Sequence, residues 1–329
     1  MRRLLNVAAV CLLVTFQSAS ADELTDPGIV QRLDVAVLVK RLDAEARTLG
    51  DREVEITQLA LRRVEQEGAA SLYARACSIL IRAQNRRGDI DAAARQVETC
   101  VANPAAPANF GEFIRLSTER GNVQMWQGNP QLAATTFESL LALDLTNVPP
   151  PIVRQLRSNY AASLKSSGES LRPIAILAET LNDAIPDGRP IEQAFLGNNL
   201  IVMLVEQGLY RDAAAWLERL QPALSDLPDN MVVLSLRLHD IQLHGLLGDP
   251  ERAVRELLAY TDQHTGKPPL ILGNAHEYLA DFQHELGDYT AAEANARVAI
   301  QLLDDITIER IDAELVLAKT QLSLGQLDA

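Results

Sequence analysis

The five histidines are the residues of this chain whose type could bind a metal ion, and all of them lie within residues 239–284. They are His239, His244, His264, His276 and His284. On a helix, His276 and His284 would share one side with Asp281, and imidazoles with a carboxylate can ligate a metal. Eight residues of helix rise about 12 Å, however, which is too far for two ligands of one ion unless a neighbouring helix contributes. The sequence therefore predicts no metal site, with a metal or small-molecule carrier built on these histidines as an alternative.

Motifs that carry catalysis are absent from the sequence. His276-Glu277 is not followed by the second histidine of a zinc-protease helix, and Gly266-Lys267-Pro268 lacks the other glycines of a phosphate-binding loop. No Gly-x-Ser-x-Gly or Cys-x-x-Cys pattern occurs. We therefore predict that the chain is not an enzyme and uses no cofactor.

Eight glycines recur along the chain at intervals of 38 to 40 residues. They are Gly50, Gly88, Gly128, Gly168, Gly208, Gly248, Gly287 and Gly325. Most are followed directly by Asp or Asn, in two cases with proline next. Glycine accepts the left-handed backbone of a helix C-terminus, and Asp or Asn caps the helix that follows. A fixed period of this length predicts an array of helical hairpins that each turn at one of these pivot glycines.

The residues around the pivot glycines fit the packing of two close helices. Alanine stands five residues after most of them, at Ala93, Ala133, Ala213, Ala253 and Ala292. Small residues also stand seven residues before several of them, at Gly121, Ala161, Ala280 and Ala318. Small side chains let helix backbones approach closely. Proline interrupts helices, so it is expected to mark the connections between hairpins, at Pro104, Pro107, Pro149 to Pro151, Pro186, Pro190, Pro222, Pro228, Pro268 and Pro269.

This pattern resembles the tetratricopeptide repeat family, in the variety of roughly 40 residues found in kinesin light chains. The segments 198–213 and 274–292 carry the resemblance best, whereas residues 22–68 carry it loosely because Glu55 stands where the alanine is expected. The resemblance implies an all-α, right-handed α-solenoid of seven stacked hairpins and a final helix. The predicted organisation is a signal peptide at 1–21, a degenerate N-terminal hairpin or cap at 22–68, and the repeat array at 69–329.

The resemblance also implies a concave groove lined by the first helix of each hairpin. In the family, the exposed stripe of that helix lies about two to thirteen residues before the pivot glycine. The candidate binding residues read from those offsets are Arg75, Arg82, Arg86, Arg115, Asn122, Trp126, Phe195 and Asn198. We predict that the arginines grip a carboxylate or an acidic peptide segment while the two aromatic rings make apolar contact. The alternative is that these side chains form a solvated helix face with no partner. The carboxylate clamp of chaperone-binding relatives is not reproduced, because Thr118 and Phe195 stand where its lysines are expected.

Two cysteines, Cys77 and Cys100, lie eleven residues before and twelve residues after Gly88. In a hairpin that turns at this glycine they would sit at the same height on facing helices, where a disulfide would contribute roughly 3 kcal/mol. Two buried thiols are the alternative. Hairpin helices are usually 8–10 Å apart, and a disulfide needs Cα atoms within about 7 Å. The sequence leaves both possibilities open.

The N-terminus has the features of a secretory signal. Arg2 and Arg3 precede an apolar stretch from Leu4 to Phe16, and Ala19-Ser20-Ala21 forms a small-x-small cleavage site. The stretch is shorter than the ~20 residues that span a bilayer as a helix. We therefore predict cleavage and a periplasmic or secreted protein without stable membrane insertion, with an uncleaved anchor as the alternative.

Removal of residues 1–21 moves the net charge from −14 to −16. Such a charge disfavours nucleic acid and anionic lipid as partners.

The predicted function is an exported scaffold that binds a protein or peptide in its groove. The alternative is the sensory N-terminal portion of a bacterial signal-transduction protein. Exported arrays of this kind resemble the sensory regions of diguanylate cyclases, whose GGDEF output domain is not found in this sequence.

Overall fold

The computed structural model describes residues 24, 26–225, 227–266, 268–303 and 307–326, so the predicted signal peptide lies outside the described residues. Within these ranges the chain forms helices and turns, with no strand. A short helix, Pro27–Arg32, is followed by fifteen longer helices. These are α1 (Val35–Glu45), α2 (Glu53–Gln66), α3 (Ala70–Arg86), α4 (Ile90–Ala102), α5 (Phe110–Trp126), α6 (Pro130–Leu141), α7 (Pro150–Ser166), α8 (Leu171–Ala184), α9 (Pro190–Glu206), α10 (Tyr210–Leu224), α11 (Met231–Leu246), α12 (Pro250–Gln263), α13 (Pro269–Glu285), α14 (Tyr289–Leu302) and α15 (Thr307–Ser323).

Seven of the pivot glycines lie where one helix ends and its partner begins, and Gly325 follows the end of α15. All eight have positive φ angles, between 54° and 108°, which residues with a Cβ rarely adopt. After several of them an aspartate caps the next helix: Asp89 accepts from the backbone N–H of Ala92 at 3.1 Å, and Asp249 accepts from that of Arg252 at 3.0 Å. The predicted array of helical hairpins turning at glycine is confirmed, with odd-numbered helices as the first and even-numbered helices as the second of each hairpin.

The described residues form two compact units, 24–176 and 177–326, and the division between them falls inside α8. Each unit has its own apolar core, which includes Leu38, Leu80 and Leu116 in the first and Leu257 and Leu279 in the second. Each unit is thus an α-solenoid of stacked hairpins, in agreement with the predicted fold class.

Small residues let the helices of a hairpin approach closely, as predicted. A Cβ atom added to Gly121 on α5 would lie 2.2 Å from Cε1 of Phe137 on α6, closer than packed atoms allow. The alanines that follow the pivots by five residues, such as Ala93 and Ala133, are fully buried. The phase of these residues along the repeat therefore has a packing cause.

The prediction that Pro222 separates two repeats is wrong. Pro222 lies inside α10, which continues to Leu224. A proline removes one backbone donor, and this loss costs little in the exposed last turn of a helix that ends two residues later. The next helix begins after Asn230, whose side chain accepts from the backbone N–H groups of Val232 and Val233.

The N-terminal hairpin has an irregular turn. Between α1 and α2 the chain forms a 3₁₀ segment, Ala46–Arg52, in which Gly50 has φ 54° and ψ −128°.

No helix among the described residues has the length and apolarity needed to span a bilayer.

Candidate functional site

The four arginines predicted to bind a partner lie on first helices of the unit 24–176. Arg75, Arg82 and Arg86 belong to α3, and Arg115 belongs to α5. Their side chains are between 21% and 32% exposed. Side chains at this depth are only partly solvated, so the groups that face them decide what they can bind.

Asp43 on α1 lies among three of these arginines. Its Oδ2 atom is 3.1 Å from Nη2 of Arg75 and 3.5 Å from Nη1 of Arg115, and its Oδ1 atom accepts a hydrogen bond of 2.7 Å from Nη2 of Arg82. Burial by itself would raise the pKa of Asp43, but the three guanidinium groups outweigh it and lower that pKa below its usual value. The carboxylate that these arginines hold is therefore the chain's own.

Glutamates provide the remaining carboxylates. Arg86 pairs with the buried Glu53 of α2. On α5, Glu112 Oε2 is 3.4 Å from Nε of Arg115, and Glu119 Oε1 is 3.7 Å from Nε of Arg82. Burial raises the pKa of Glu119, although the charge of Arg82 opposes the rise.

These eight side chains form the arginine–carboxylate network, which consists of Arg75, Arg82, Arg86, Arg115, Asp43, Glu53, Glu112 and Glu119. Its four cations face four carboxylates, so this surface has no net positive charge. The sequence predicted that these arginines grip a carboxylate or an acidic peptide segment. The structure places carboxylates of α1 and α2 against them, and long-range attraction of an acidic peptide loses its basis here.

A row of amide hydrogen bonds extends the network to the next first helix. Asn122 on α5 donates from Nδ2 to Oε2 of Glu119 at 2.8 Å. Asn159 on α7 in turn donates from Nδ2 to Oδ1 of Asn122 at 2.8 Å. We call the face formed by Arg75, Arg82, Arg115, Asn122 and Asn159 the first-helix surface.

The other predicted binding residues lie in different surroundings. Trp126, at the end of α5, is 45% exposed. Phe195 and Asn198 belong to α9 in the unit 177–326, where Phe195 is partly buried and Asn198 fully buried. Both polar side-chain atoms of Asn198 lack a hydrogen-bond partner. Of the two predicted aromatic residues, Trp126 is the more exposed.

The histidines make separate contacts. His244 Nδ1 lies 2.6 Å from Oε2 of Glu256, His276 Nδ1 lies 2.8 Å from Oδ1 of Asn295, and His284 Nε2 lies 3.2 Å from Oγ of Ser323. Burial lowers the pKa of His239. Among the described residues, no three His, Cys, Asp or Glu side chains come together in a way that could hold a metal ion.

The two cysteines form a disulfide that joins the helices of the second hairpin. Cys77 on α3 and Cys100 on α4 have an S–S distance of 2.05 Å and a Cα–Cα distance of 6.2 Å. Both residues are fully buried. The bond fixes α4 to the helix that carries Arg75, Arg82 and Arg86.

Comparison with known proteins agrees with this geometry. Residues 74–99, which run from α3 through the turn at Gly88 into α4, match the sequence model of the tetratricopeptide repeat. This segment of the chain is a tetratricopeptide repeat. No curated protein sequence matches it at a significant level.

Several solved structures share the fold of this chain. BtubC from P. vanneervenii is 16% identical over 67% of this chain and 90% of its own, with a TM-score of 0.52. The apo quorum sensor NprR from B. thuringiensis is 12% identical over 88% of this chain and 82% of its own, with a TM-score of 0.59. NprR has also been solved in complex with its cognate peptide NprX, with a TM-score of 0.58 at 12% identity over 89% of this chain and 85% of that one.

A signal-transduction ATPase with a tetratricopeptide-repeat sensor, from Pyrococcus horikoshii, gives a TM-score of 0.63 at 14% identity. The match covers 89% of this chain and 46% of that one. At such identities the likeness shows the fold, and the ligand of this chain must be argued from its own residues.

The acidic members of the arginine–carboxylate network escaped the sequence analysis, although the sequence holds a signal for them. Asp43 precedes Arg75 by 32 residues and Arg82 by 39, and Glu53 precedes Arg86 by 33. The separation of Asp43 from Arg82 is close to one repeat, the distance that places equivalent first helices beside each other, whereas Glu53 and Arg86 lie on the consecutive helices α2 and α3. A search for opposite charges about one repeat apart would have found the Asp43–Arg82 pair.

Proposed function

We propose that this protein binds a segment of another protein, or a peptide, on its first-helix surface. The fold supports this proposal, since an array of the same fold, NprR, is known with a peptide bound. The proposal includes export to the periplasm, for which the predicted signal peptide is the reason. No cation excess marks the surface, so recognition is assigned to hydrogen bonds and to apolar contact.

One observation carries the proposal: an ion pair between Arg115 of the first-helix surface and the neighbouring Glu112 leaves two buried polar atoms without a hydrogen bond. Nε of Arg115 and Oε2 of Glu112 are buried and lie 3.4 Å apart, yet neither makes a hydrogen bond. Buried polar atoms that make no hydrogen bond cost free energy, even where opposite charges attract each other. The main chain of an extended peptide offers a carbonyl and an N–H group that would satisfy both, after a small shift of the partly exposed Arg115 side chain.

Trp126 supplies the apolar part of the proposed contact. It lies on α5, the helix that also bears Arg115 and Asn122. Exposed tryptophan rings contribute strongly to binding where they become covered. We therefore expect the bound segment to contain an apolar or aromatic residue, and an acidic residue is not required.

A peptide library displayed on phage and selected against the full chain tests the proposal. We expect selected peptides to bind at least ~10-fold more weakly to the Trp126→Ala and Arg115→Ala variants. Trp216→Ala is the matched control, since Trp216 lies on the second helix α10 and its ring packs against Arg219. Peptides that bind all three variants as tightly as the unchanged chain would place the site elsewhere, and failure to select any peptide would contradict peptide binding.

The sensory portion of a signal-transduction protein is a second candidate. The fold is shared with the ATPase that carries a tetratricopeptide-repeat sensor, which shows that such an array is compatible with this role. A reading frame that continues past Ala329 into a membrane helix would favour this candidate.

A further inference from the structure

Two asparagines of the first-helix surface and the neighbouring Glu119 form a row of hydrogen bonds that all run in one direction. Asn122 donates from Nδ2 to Oε2 of Glu119, and Asn159 donates from Nδ2 to Oδ1 of Asn122, both at 2.8 Å. Every donor in the row therefore points towards Glu119. We call Glu119, Asn122 and Asn159 the amide row.

Glu119 is the closed end of the row and sets its direction. The residue is only 3% exposed. Burial raises its pKa, but the charge of Arg82, whose Nε atom lies 3.7 Å from Oε1, opposes this rise and favours the ionised form. An ionised carboxylate accepts hydrogen bonds and cannot donate them. Asn122 must therefore turn its amide nitrogen towards Glu119, which leaves its carbonyl oxygen facing α7.

The same constraint passes from Asn122 to Asn159. The carbonyl oxygen of Asn122 can only accept, so Asn159 turns its own amide nitrogen towards it. If the amide of Asn159 were turned over, two oxygen atoms would face each other. In the observed orientation, Oδ1 of Asn159 accepts no hydrogen bond from the described residues and is not buried.

We propose that Glu119 is a positioning residue, which determines through Asn122 that Asn159 presents an acceptor to a bound segment. The segment then supplies a donor, and the main-chain N–H group is the donor that every residue except proline carries. A terminal carboxylate, which only accepts, does not complement this oxygen. The inference rests on the proposed function, because it concerns the same first-helix surface.

A peptide selected from the phage library on the full chain is the probe for the donor contact. In a series of synthetic versions, each main-chain N–H group in turn is replaced by an ester oxygen, which cannot donate. One of these esters should bind the unchanged chain roughly 5-fold more weakly than the parent peptide, because it lacks the donor to Asn159. The Asn159→Ala variant should bind this ester and the parent peptide equally well.

Two further variants test the positioning role of Glu119. Glutamine can donate as well as accept, so Glu119→Gln no longer fixes the direction of the row, and the loss of affinity on ester substitution should fall below about 2-fold. Asn122→Ala interrupts the row but keeps the carboxylate beside Arg82, and it should have the same effect. Glu98→Gln is the matched control, since Glu98 pairs with Arg120 on the exposed surface and should leave the full loss in place.

The comparison of ester with parent peptide separates positioning from a general loss of stability, because a weakened fold affects both peptides alike. Circular dichroism checks that each variant stays helical. The side-chain amide resonances in a ¹⁵N–¹H spectrum provide a test without any peptide: Glu119→Gln should shift those of both Asn122 and Asn159, whereas Glu98→Gln should shift neither.

The outcomes distinguish this inference from the proposed function. If Glu119→Gln and Asn122→Ala keep the full loss on ester substitution, or if the Asn159 resonance does not move, the positioning role is wrong although peptide binding stands. If no ester shows a loss that depends on Asn159, the donor contact is wrong. A library that yields no peptide would remove the proposed function and this inference together.

Discussion

At the scale of single residues, Asp43 determines how the arginines of the first-helix surface behave. Three guanidinium groups share its carboxylate, and their charges lower its pKa against the effect of burial. A partner carboxylate would therefore have to compete with a group that is already bound and preorganised. This competition is the physical reason that a stripe of arginines in a sequence does not by itself predict an anion-binding site.

Replacing Asp43 by asparagine should lower the free energy of unfolding by about 2 kcal/mol at neutral pH, because three partly buried cations lose their shared carboxylate. A lowered folded-state pKa stabilises the fold fully above the unfolded pKa of about 3.9, and the stabilisation disappears as the pH falls through the lower folded value. Urea unfolding from about pH 7 to about pH 2.5 should thus show the two proteins converging in acid.

Glu293→Gln provides the control for this measurement. Glu293 pairs with the exposed Arg297 four residues later on the same helix, α14, so its loss should cost about 0.5 kcal/mol or less. A deficit of the Asp43→Asn variant that is the same at every pH would contradict an electrostatic role for Asp43.

The sequence could supply half of the arginine–carboxylate network. The four arginines follow from their offsets to the pivot glycines, because helical geometry fixes those offsets locally. Asp43 and Glu53 depend on how the N-terminal hairpin packs on the next one, and Gly50 turns that hairpin through an irregular 3₁₀ segment. Their contacts are set by tertiary packing, which local spacing does not encode.

At the scale of the elements, the hairpins were predictable because their signals are short-range. Gly88 ends α3, Asp89 caps α4, and Ala93 packs in the core within five residues of the turn. Pro222 shows the limit of such signals, since a proline breaks a helix interior but is tolerated in the last exposed turn of α10. The effect of a residue type depends on its position within the helix, which the sequence locates only to within a few residues.

The disulfide allows a prediction for the second hairpin. Cys77 and Cys100 are 23 residues apart, so their bond should contribute roughly 3 kcal/mol to stability by restricting the unfolded chain. Urea unfolding of the full chain with and without a thiol reductant should show this difference. The Cys77→Ser, Cys100→Ser double variant should be as unstable as the reduced protein and insensitive to reductant. Equal stability of the oxidised and reduced chains would show that the bond does not support the hairpin.

At the scale of the whole molecule, the repeat period hides the division into two units. The pivots Gly128, Gly168 and Gly208 are evenly spaced on both sides of residues 176 and 177, where the units meet in sequence. The period reflects the geometry within single hairpins, whereas the compactness of a unit depends on contacts between hairpins. The array was therefore predictable, whereas its division was not.

Export is the prediction that depends on the N-terminal residues 1–21. It rests on the basic start, the apolar stretch and the small-x-small site within residues 1–21, and an oxidising compartment would also favour the Cys77–Cys100 bond. Expressed with its own N-terminus in a Gram-negative host, the protein should be recovered from the periplasm with Asp22 as its first residue, as mass spectrometry would show. Replacing Leu12 and Leu13 by arginine interrupts the apolar stretch, so this variant should stay in the cytoplasm, uncleaved and with free thiols. Recovery of the unchanged chain in the membrane fraction with residues 1–21 still attached would instead identify this segment as an anchor.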